Sequence, residues 1–405
     1  MKVVLLSPGF DGTDVGEAYV AFKWAEALST RVELTVLALQ RAGRPALAAQ
    51  LPGAEVVTWP EPRLPRRAER INAMLKPAWP LLHRHVNRWL RDRIAEGRSF
   101  DVLHQLMPQA ARYPTPLRGH GIPYVIGPLG GGLPTPPGFV AETGSAQWFT
   151  RLRALDQMRL RRDPWLRRSY AEADLVLGVA PYMKDILSPV PLRRFEPVLE
   201  LGIDGLAPPR APATGAGLRL LHVGRGVRTK GLRDVVRAMA HLRDRPDITL
   251  TSAGAGEEIA LARAEAGRLG VADRITFLGR VPRDEVDRLY DEADIFVFPS
   301  FREPAGGVLY EALRAGLPVI SVAYGGPDFI LNDDCGIRIP LSTPEALSRD
   351  IAQSVATLAD DPERRSRMSK AAHAKVEADG LWPRKAELMM GLYSELLPLR
   401  PFSTA

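Results

Sequence analysis

Two glutamates flank a pair of glycines in the stretch PSFREPAGGVLYEALRAGLPVI, residues 299–320. Glu303 precedes Gly306 and Gly307, and Glu311 follows them, with seven residues between the two glutamates. Glycines at the start of a helix leave backbone N–H groups open to an anion, so this stretch is a candidate pyrophosphate site. The two carboxylates are candidates for accepting hydrogen bonds from sugar hydroxyls. An alternative stays open, in which Glu303 is a solvated loop residue and Glu311 a charge on the helix surface.

Arg225 and Lys230 are the candidate phosphate ligands in the stretch LLHVGRGVRTKG, residues 220–231. Arg225 directly follows a strand-like run, and Lys230 lies where the next helical pattern begins. Such a pair suits two phosphate groups, because a charge-assisted hydrogen bond contributes about 1.5–3 kcal/mol. The alternative is a pair of surface cations at the ends of a loop.

A second pair of glycines, Gly254 and Gly256, follows a predicted strand and precedes a predicted helix. A dinucleotide-binding fingerprint would place a third glycine at position 259, where this sequence has Ile259. The mismatch counts against a dehydrogenase.

Short β-rich runs alternate with longer helical patterns, which predicts parallel sheets with helices on both faces. In the first half we predict strands at 2–7, 32–38, 56–58, 102–105, 124–126 and 175–179, and helices at 15–29, 66–96, 107–119 and 149–172. In the second half we predict helices at 230–242, 257–269, 283–291 and 306–315, each following a strand. The proline-rich residues 206–217 indicate a linker. The pattern thus predicts two doubly wound domains, 1–205 and 218–381, facing a central cleft at the carboxyl ends of their strands.

The composition is that of a globular protein. Of 405 residues, 45% are hydrophobic and 25% charged, which excludes the disordered and fibrous classes. Cys335 is the single cysteine, so no intrachain disulfide can form and a reducing, cytoplasmic setting is expected. The apolar run at the start is too short for a signal peptide, and no run approaches the roughly 20 apolar residues of a membrane span.

The net charge of +7 is concentrated in two segments, residues 61–99 and 147–170. In the first, Trp79 and Trp89 are interleaved with arginines, which is typical of a surface that touches anionic lipid or a lipid-linked acceptor. An ordinary amphipathic helix pair that packs on its own domain is the alternative. Nucleic-acid binding ranks third, because no recognised binding motif accompanies the charge.

The stretch at 299–320 is similar to the EPxGxxxxE motif of the retaining glycosyltransferases of family four, also called glycosyl transferases group 1, which have the GT-B fold. Residues 224–231 match that family's GRxxxxKG motif, and the resemblance extends over 218–345. One departure is Ala305, where the family usually has Phe. The resemblance implies a GT-B fold, with a C-terminal helix at about 382–400 that packs back on the N-terminal domain.

The resemblance also implies roles for residues in the second domain. Glu303 would lie against the donor sugar and Glu311 would hold the ribose, while Arg225 and Lys230 would grip the donor diphosphate. The remaining donor-binding residues implied are Gly254, the backbone amides of Gly306, Gly307 and Val308, and Arg280 and Val281 beside the nucleotide base.

In the first half the resemblance is thinner. Only Gly16 carries over from the family's glycine loop before the first helix, where it would face the donor phosphate. The stretch IPYVIGPLGGGLPTP, residues 122–136, resembles a subgroup with a GPxGGG loop and lacks the histidine that many members have there. His104 ends an earlier strand and is a candidate catalytic residue, although a histidine at a strand end is more often structural.

We therefore expect a retaining, metal-independent glycosyltransferase of hexosyl or N-acetylhexosaminyl type that uses a UDP-linked sugar and needs no cofactor. No Asp-x-Asp metal motif occurs, and His83 and His85 lie on different faces of any helix. The acceptor hydroxyl would belong to a cell-surface polysaccharide, a glycolipid or a natural product, with the enzyme in the cytoplasm or on the inner face of the cell membrane. Donor sugar and acceptor stay open. The alternatives are a nucleotide-sugar epimerase or phosphorylase, and a non-catalytic sugar-nucleotide or membrane-surface binding protein.

Overall fold

The structure is a computed structural model that describes residues 1–62, 76–143, 148–208 and 217–397, and within 148–154 the backbone only. The chain divides into two units. The first unit comprises Met1–Gly132, Trp148–Glu200 and Trp382–Ala405, and the second comprises Leu133–Gln147 and Leu201–Leu381.

The first unit is built on a sheet whose seven strands are all parallel. The strands are β1 (Lys2–Leu6), β2 (Glu33–Gln40), β3 (Glu55–Pro60), β4 (Val102–Gln105), β5 (Tyr124–Leu129), β6 (Leu175–Gly178) and β7 (Phe195–Pro197). Their order is β3-β2-β1-β4-β5-β6-β7. Strands β4, β5 and β6 are buried throughout, as expected when helices cover both faces of a parallel sheet.

The helices of the first unit are α1 (Glu17–Ser29), α2 (Leu47–Gln50), α3 (Trp79–Ala95), α4 (Trp148–Arg162), α5 (Pro164–Ala171) and α6 (Tyr182–Ile186). Asp163 separates α4 from α5, and its carboxylate caps α5 by accepting from the amides of Trp165 and Leu166. The unit also contains the last helix of the chain, Trp382–Leu396. Trp382 packs edge-on against Trp24 of α1, with ring centroids 5.6 Å apart.

The second unit contains a sheet of six parallel strands. They are β8 (Leu218–Val223), β9 (Ile248–Ala253), β10 (Ile275–Gly279), β11 (Ile295–Phe298), β12 (Val319–Val322) and β13 (Gly336–Ile339), in the order β10-β9-β8-β11-β12-β13. Its helices are α7 (Leu232–His241), α8 (Glu258–Leu269), α9 (Arg283–Glu292), α10 (Gly307–Arg314), α11 (Gly326–Ile330), α12 (Pro344–Asp360) and α13 (Pro362–Lys375). The C-terminal helix Trp382–Leu396 is α14.

A short piece of the N-terminal half packs into the second unit. Phe139 is fully buried in the hydrophobic core of that unit, and its ring lies 4.4 Å from that of Phe301. A Cβ on Gly138 would lie 2.0 Å from the carbonyl oxygen of Ser342, so only glycine allows this close backbone approach. The structure therefore places residues 133–147 in the second unit, whereas the sequence analysis placed 1–205 in the first domain.

The two parallel sheets confirm the predicted pair of doubly wound domains. The helix predicted over 107–119 is wrong, because these residues form no helix. Pro114 and Pro116 lack the N–H groups that a helix needs, and each disfavours a helical conformation in the residue before it. Residues 66–75, 209–216 and 398–400, which belong to the predicted helix, linker and C-terminal helix, lie outside the described residues.

Among the residues that the structure describes, none lies in a helix long and apolar enough to cross a membrane.

Candidate functional site

The loops that follow β8 and β11 adjoin at the switch point of the second sheet. From β8 the chain continues to β9 and β10 on one side, and it then returns to β11 on the other side. In open α/β sheets, ligands bind beyond the carboxyl ends of the strands at this point. Arg225 and Lys230 lie in the loop after β8, and Glu303 and Gly306 lie in the loop after β11. The topology thus brings the two candidate motifs together.

Lys230 and Glu303 form an ion pair across the switch point, from Lys230 Nζ to Glu303 Oε2. Both side chains are largely shielded, with 12% and 13% of their surfaces exposed. The lysine nitrogen also lies 5.4 Å from the ring centroid of Phe298, in range of a cation–π interaction. A phosphate entering this site would compete with the Glu303 carboxylate for the lysine.

The backbone at Lys230 is held from three sides. His222 Nε2 donates to the carbonyl of Lys230 at 3.1 Å, and Ser300 Oγ donates to that of Thr229 at 2.9 Å. Gly231 has a φ of 78°, and a Cβ there would lie 2.4 Å from the carbonyl oxygen of Pro299. Burial lowers the pKa of His222 to about 4, so the ring is neutral at neutral pH. His222 was not among the predicted site residues. The feature that could have indicated it is its position as a polar residue in the otherwise largely apolar end of strand β8.

Arg228 ties the loop after β8 to its surroundings. Its guanidinium donates to both carboxylate oxygens of the buried Asp234, at 2.6 and 2.9 Å, and its Nε donates to Glu142 at 2.8 Å. The same group lies 5.1 Å from the ring centroid of Phe301, in the loop after β11. The bidentate pair fixes Arg228 within the segment that follows β8, and the guanidinium also lies against Phe301 of the loop after β11. Arg228 was not among the predicted residues.

Glu142 belongs to the short piece of the N-terminal half that packs into the second unit. It also forms an ion pair with Arg237 at 3.0 Å. Burial acts to raise the pKa of this carboxyl, but the hydrogen bonds and charges of Arg237 and Arg228 outweigh it, so the pKa is lowered. The carboxylate is therefore charged at neutral pH. Glu142 was also missed, since nothing in the sequence relates it to residues more than eighty positions away.

The glycines after β8 and β9 serve backbone contacts between loops. A Cβ on Gly254 would lie 1.8 Å from the carbonyl oxygen of Gly224. The amide of Gly254 donates to the carbonyl of Gly279 at 2.7 Å, and that of Gly226 donates to Ala255 at 2.8 Å. The Gly254 amide is thus already used within the unit, and the structure gives this glycine a packing role.

The loop after β11 ends at the N-terminus of α10. Gly306 precedes the helix with a φ of 95°, in the left-handed region. The amide of Leu309 donates to the carbonyl of Gly306 at 2.9 Å, so the amides of Gly307 and Val308 lie at the free N-terminus of the helix. A Cβ on Gly307 would lie 2.7 Å from Leu201 Cδ1, the end of a side chain that can move aside.

Glu311 lies on α10 and has partners on α9. Its carboxylate accepts from Arg283 at 2.7 Å and from the hydroxyl of Tyr290 at 3.2 Å. Burial, reinforced by the Glu311 charge, raises the pKa of Tyr290. The tyrosine therefore stays protonated and donates to the carboxylate, which holds Glu311 in one orientation.

The other residues predicted for this unit lie at its surface. Arg225 and Arg280 are exposed and Val281 is half-buried. Within the described part of the chain, neither arginine forms an ion pair. Both guanidinium groups are thus free to meet a ligand.

In the first unit, the structure buries His104 completely. Its Nε2 donates to the carbonyl of Gly127 at 2.6 Å, and its Nδ1 accepts from the hydroxyl of Tyr393 of α14 at 2.5 Å. Burial lowers the pKa of His104 to about 4, consistent with this neutral form. Both ring nitrogens are occupied, so the geometry favours the structural role over the catalytic one.

Gly16 precedes α1 with a φ of 69°, and no atom would lie within 4 Å of a Cβ added there. The positive φ favours glycine, while the open space leaves room for a ligand. Among the described residues, no cluster of His, Cys, Asp and Glu side chains could hold a metal ion.

Residues 213–375 match the family model described as Glycosyl transferases group 1. The matched region includes both the cations after β8 and the glutamates around α10. Among curated proteins, glycogen synthase of Mycobacterium tuberculosis is 30% identical over 242 residues, which cover 57% of this chain and 56% of that protein. The D-inositol 3-phosphate glycosyltransferase of Corynebacterium glutamicum is 35% identical over 185 residues, 43% of each chain. The chain thus spans about half the length of the curated relatives it matches. Over residues 213–375 the chain thus resembles glycosyl transferases group 1.

Solved structures match over nearly the whole chain. The Anabaena protein HepE in complex with UDP has a TM-score of 0.66 at 16% identity, covering 98% of this chain and 100% of that one. Sucrose-phosphate synthase from Thermosynechococcus elongatus has a TM-score of 0.61 at 19% identity, covering 97% and 98%. The chain has the GT-B fold. The GT-B fold contains two Rossmann-like domains, which correspond to the two parallel sheets described above.

Proposed function

We propose that this GT-B protein is a retaining glycosyltransferase that moves a sugar from a UDP-linked donor to an acceptor hydroxyl without a metal ion. The observation that carries the proposal is the Lys230–Glu303 pair at the switch point of the second sheet. It places a cation suited to a phosphate beside a carboxylate suited to a sugar hydroxyl.

In this proposal, Lys230 and the exposed Arg225 bind the donor diphosphate. The amides of Gly307 and Val308 lie at a helix N-terminus, where the helix dipole also favours a negative group. Donor binding breaks the ion pair between Lys230 and Glu303, and the freed carboxylate accepts hydrogen bonds from the sugar. Lys230 thereby exchanges Glu303 for the diphosphate, and Glu303 exchanges Lys230 for the sugar.

Glu311 is positioned for the ribose. Its two oxygens already accept from Arg283 and Tyr290, and each oxygen retains a further lone pair. A ribose hydroxyl can therefore donate to a carboxylate whose orientation is fixed in advance. Arg280 and Val281 would lie beside the base, as in the family that the sequence resembles.

The reaction proposed is attack of the acceptor oxygen on the same face of the sugar from which the diphosphate leaves. The new bond joins the acceptor oxygen to the anomeric carbon, and the bond from that carbon to the phosphate oxygen breaks. The acceptor proton passes to the departing phosphate oxygen. Positioning and stabilisation of the charge on the diphosphate supply most of the rate.

A UDP-linked donor is supported by solved structures of HepE with UDP and with UDP-glucose. The names of the curated relatives point to more than one acceptor class. They include glycogen synthase, a 2-deoxystreptamine glucosyltransferase and a lipopolysaccharide core glycosyltransferase. We therefore leave the acceptor as a hydroxyl of a polysaccharide, a glycolipid or a natural product.

The test is transfer from UDP-glucose and UDP-N-acetylglucosamine to a panel of such acceptors, with UDP release measured and the product linkage assigned by NMR. We expect the anomeric configuration of the donor to be kept and EDTA to have no effect. An inverted linkage would overturn the retaining mechanism, and loss of activity with EDTA would overturn metal independence.

The same assay separates the alternatives. Conversion of the donor without any acceptor would identify an epimerase, and release of a sugar 1-phosphate with inorganic phosphate would identify a phosphorylase. A protein that binds UDP, but neither transfers nor hydrolyses any donor, would be a non-catalytic binding protein.

A further inference from the structure

Helix α3 exposes a basic stripe on the surface of the first unit. Its buried face consists of Trp79, Leu82, Val86 and Leu90, which recur at helical spacing. The opposite face exposes Arg84, Arg88 and Arg91. Leu81, 39% exposed, lies on the same stripe one turn before Arg84. The helix is therefore amphipathic with a cationic outer face.

Helix α5 continues this surface. Trp165 leaves 57% of its area exposed, and its ring lies edge-on against His83 of α3, with centroids 5.3 Å apart. Arg161 and Arg162 at the end of α4, and Arg168 of α5, are exposed close to it in sequence. The contact between the two rings joins α3 and α5 into one surface. We call Arg84, Arg91, Arg161, Arg162, Trp165 and Arg168 the basic face.

The basic face keeps most of its positive charge, although Arg168 adds to the hydrogen bond of Arg118 in lowering the pKa of Glu172. None of the five arginines of the basic face forms an ion pair within the described ranges. The neighbouring acids are used elsewhere: Asp156 pairs with Arg112 at 2.7 Å, and Asp163 caps α5. Asp92 lies on the α3 stripe and pairs with Arg88 at 3.7 Å. The positive charge of the basic face is therefore available to a partner.

In the second unit, several arginines are instead matched by carboxylates. Arg228, Arg233 and Arg237 each have acidic partners within that unit. The basic face differs from these paired arginines in combining arginines that form no ion pair with an exposed tryptophan.

We propose that the basic face docks the protein on a membrane surface that contains anionic lipid. Tryptophan prefers the membrane–water interface, because its ring is apolar and its N–H finds a polar partner there. Arginine keeps its charge at the level of the phosphates while its stem covers apolar surface. Leu81 of the α3 stripe and Met158 of α4, 43% exposed, add apolar area on these helices. This combination of unpaired cations with exposed apolar side chains fits a lipid headgroup layer.

The proposal does not depend on the reaction, because docking would hold whichever sugar is transferred. It narrows the acceptor, however, since a docked transferase meets hydroxyls carried on lipids. Binding to vesicles is measured without donor or acceptor, so its failure would leave the proposed reaction untouched.

The experiment is co-sedimentation of the full chain with phosphatidylcholine vesicles, with and without phosphatidylglycerol. We expect binding only to the anionic vesicles, and weaker binding as salt is added. Each basic residue near an anionic surface contributes about 1 kcal/mol, so Arg84→Glu with Arg91→Glu should weaken binding by at least about 30-fold. Trp165→Ser should also weaken binding to anionic vesicles.

The matched control is Arg367→Glu with Lys370→Glu, two exposed residues of α13 in the second unit that form no ion pair with any residue described. It makes the same change in net charge and should leave binding unaltered, as should Leu261→Ser as the control for Trp165. Equal binding to uncharged vesicles would overturn the proposal, as would an equal loss in the control pair. Preferential binding to duplex DNA over anionic vesicles would also overturn it.

Discussion

The two sheets have the same kind of switch point but place different groups there. In the second sheet, the loops after β8 and β11 bring Lys230 and Glu303 together as a largely shielded ion pair. In the first sheet, β1 and β4 meet at the switch point, and the candidate residue of β4 is the buried His104. Topology therefore indicates where a ligand can bind, while charge and exposure decide which switch point is equipped for an anion.

A histidine plays a similar supporting part in each sheet. His104 of β4 donates to the carbonyl of Gly127, and His222 of β8 donates to that of Lys230. Both rings are buried and neutral, with a pKa of about 4. The two histidines differ in the residue whose backbone they hold. His222 holds Lys230, a cation of the candidate site, whereas His104 holds Gly127. The comparison teaches that a strand-end histidine can serve a site by holding its backbone.

The largest effect is expected from Lys230→Ala. Removing one group that stabilises charge in a transition state costs about 10²–10³ in rate, so kcat/KM for donor use should fall by that factor. Lys370→Ala, at an exposed lysine of α13, is the matched control and should leave the rate unaltered. His104→Gln should keep most of the activity. A loss with His104→Gln as large as with Lys230→Ala would reverse the comparison.

Arg228→Ala should destabilise the second unit by about 3 kcal/mol, because breaking a buried ion pair leaves an uncompensated charge. The expected value is at the lower end of the usual range, since Arg237 Nη1 lies 3.6 Å from Asp234. Urea denaturation measures the change.

The control for Arg228 is Arg193→Ala in the first unit. That arginine is 57% exposed and pairs with Asp174 at 2.9 Å, so its loss should cost less than about 1 kcal/mol. Equal losses for the two variants would contradict a stabilising role for the buried pair of Arg228 and Asp234.

The two histidines predict a pH dependence of stability. Their pKa is about 4 when folded and 6.5 when unfolded, so the unfolded chain binds more protons between these values. Stability should be complete above pH 6.5 and fall as the pH drops toward 4. At pH 5 each histidine should have removed about 2 kcal/mol. The stability curve of His104→Gln against pH should be flatter than that of the wild type; an equally steep curve would show that His104 is charged when folded.

Gly16→Ala should act through the backbone alone, because no atom lies within 4 Å of the added Cβ. A φ of 69° with a ψ of −140° lies close to a region that is nearly restricted to glycine, so the substitution should cost about 1–3 kcal/mol. Gly267→Ala on the exposed surface of α8 also meets open space but has an ordinary helical φ, so it should stabilise by about 0.5–1 kcal/mol. If Gly16 faces the donor phosphate, Gly16→Ala will also raise KM for the donor, which Gly267→Ala will not. An unchanged KM would remove Gly16 from the donor site.

The second unit was most predictable from sequence where its strands are buried at every residue, as β11 and β12 are. The apolar run DIFVFPS coincides with β11, and the glycines after it coincide with the start of α10. The positions of Arg225, Lys230 and Glu303 in switch-point loops followed from the same pattern. The sequence pattern did not show that Lys230 and Glu303 form an ion pair, because the two residues lie 73 positions apart.

Contacts between residues distant in sequence could not be predicted. The catalytic role of His104 stays a prediction, and the hydroxyl that its Nδ1 accepts from belongs to Tyr393, 289 positions later. The helix predicted at 107–119 is wrong for a local reason, because Pro114 and Pro116 lack the N–H groups that a helix needs. Whether the predicted site residues bind a donor stays a prediction.

The Phe139 contact bears on how this protein can be cut into pieces. Since residues 133–147 belong to the second unit, the chain passes between the units at 132/133, 147/148, 200/201 and 381/382. A fragment beginning at residue 201 would lack Phe139, whose ring packs against that of Phe301. It would also lack Glu142, whose carboxylate pairs with Arg228. Such a fragment should fold poorly alone, and a synthetic peptide covering 133–143 should restore it in trans.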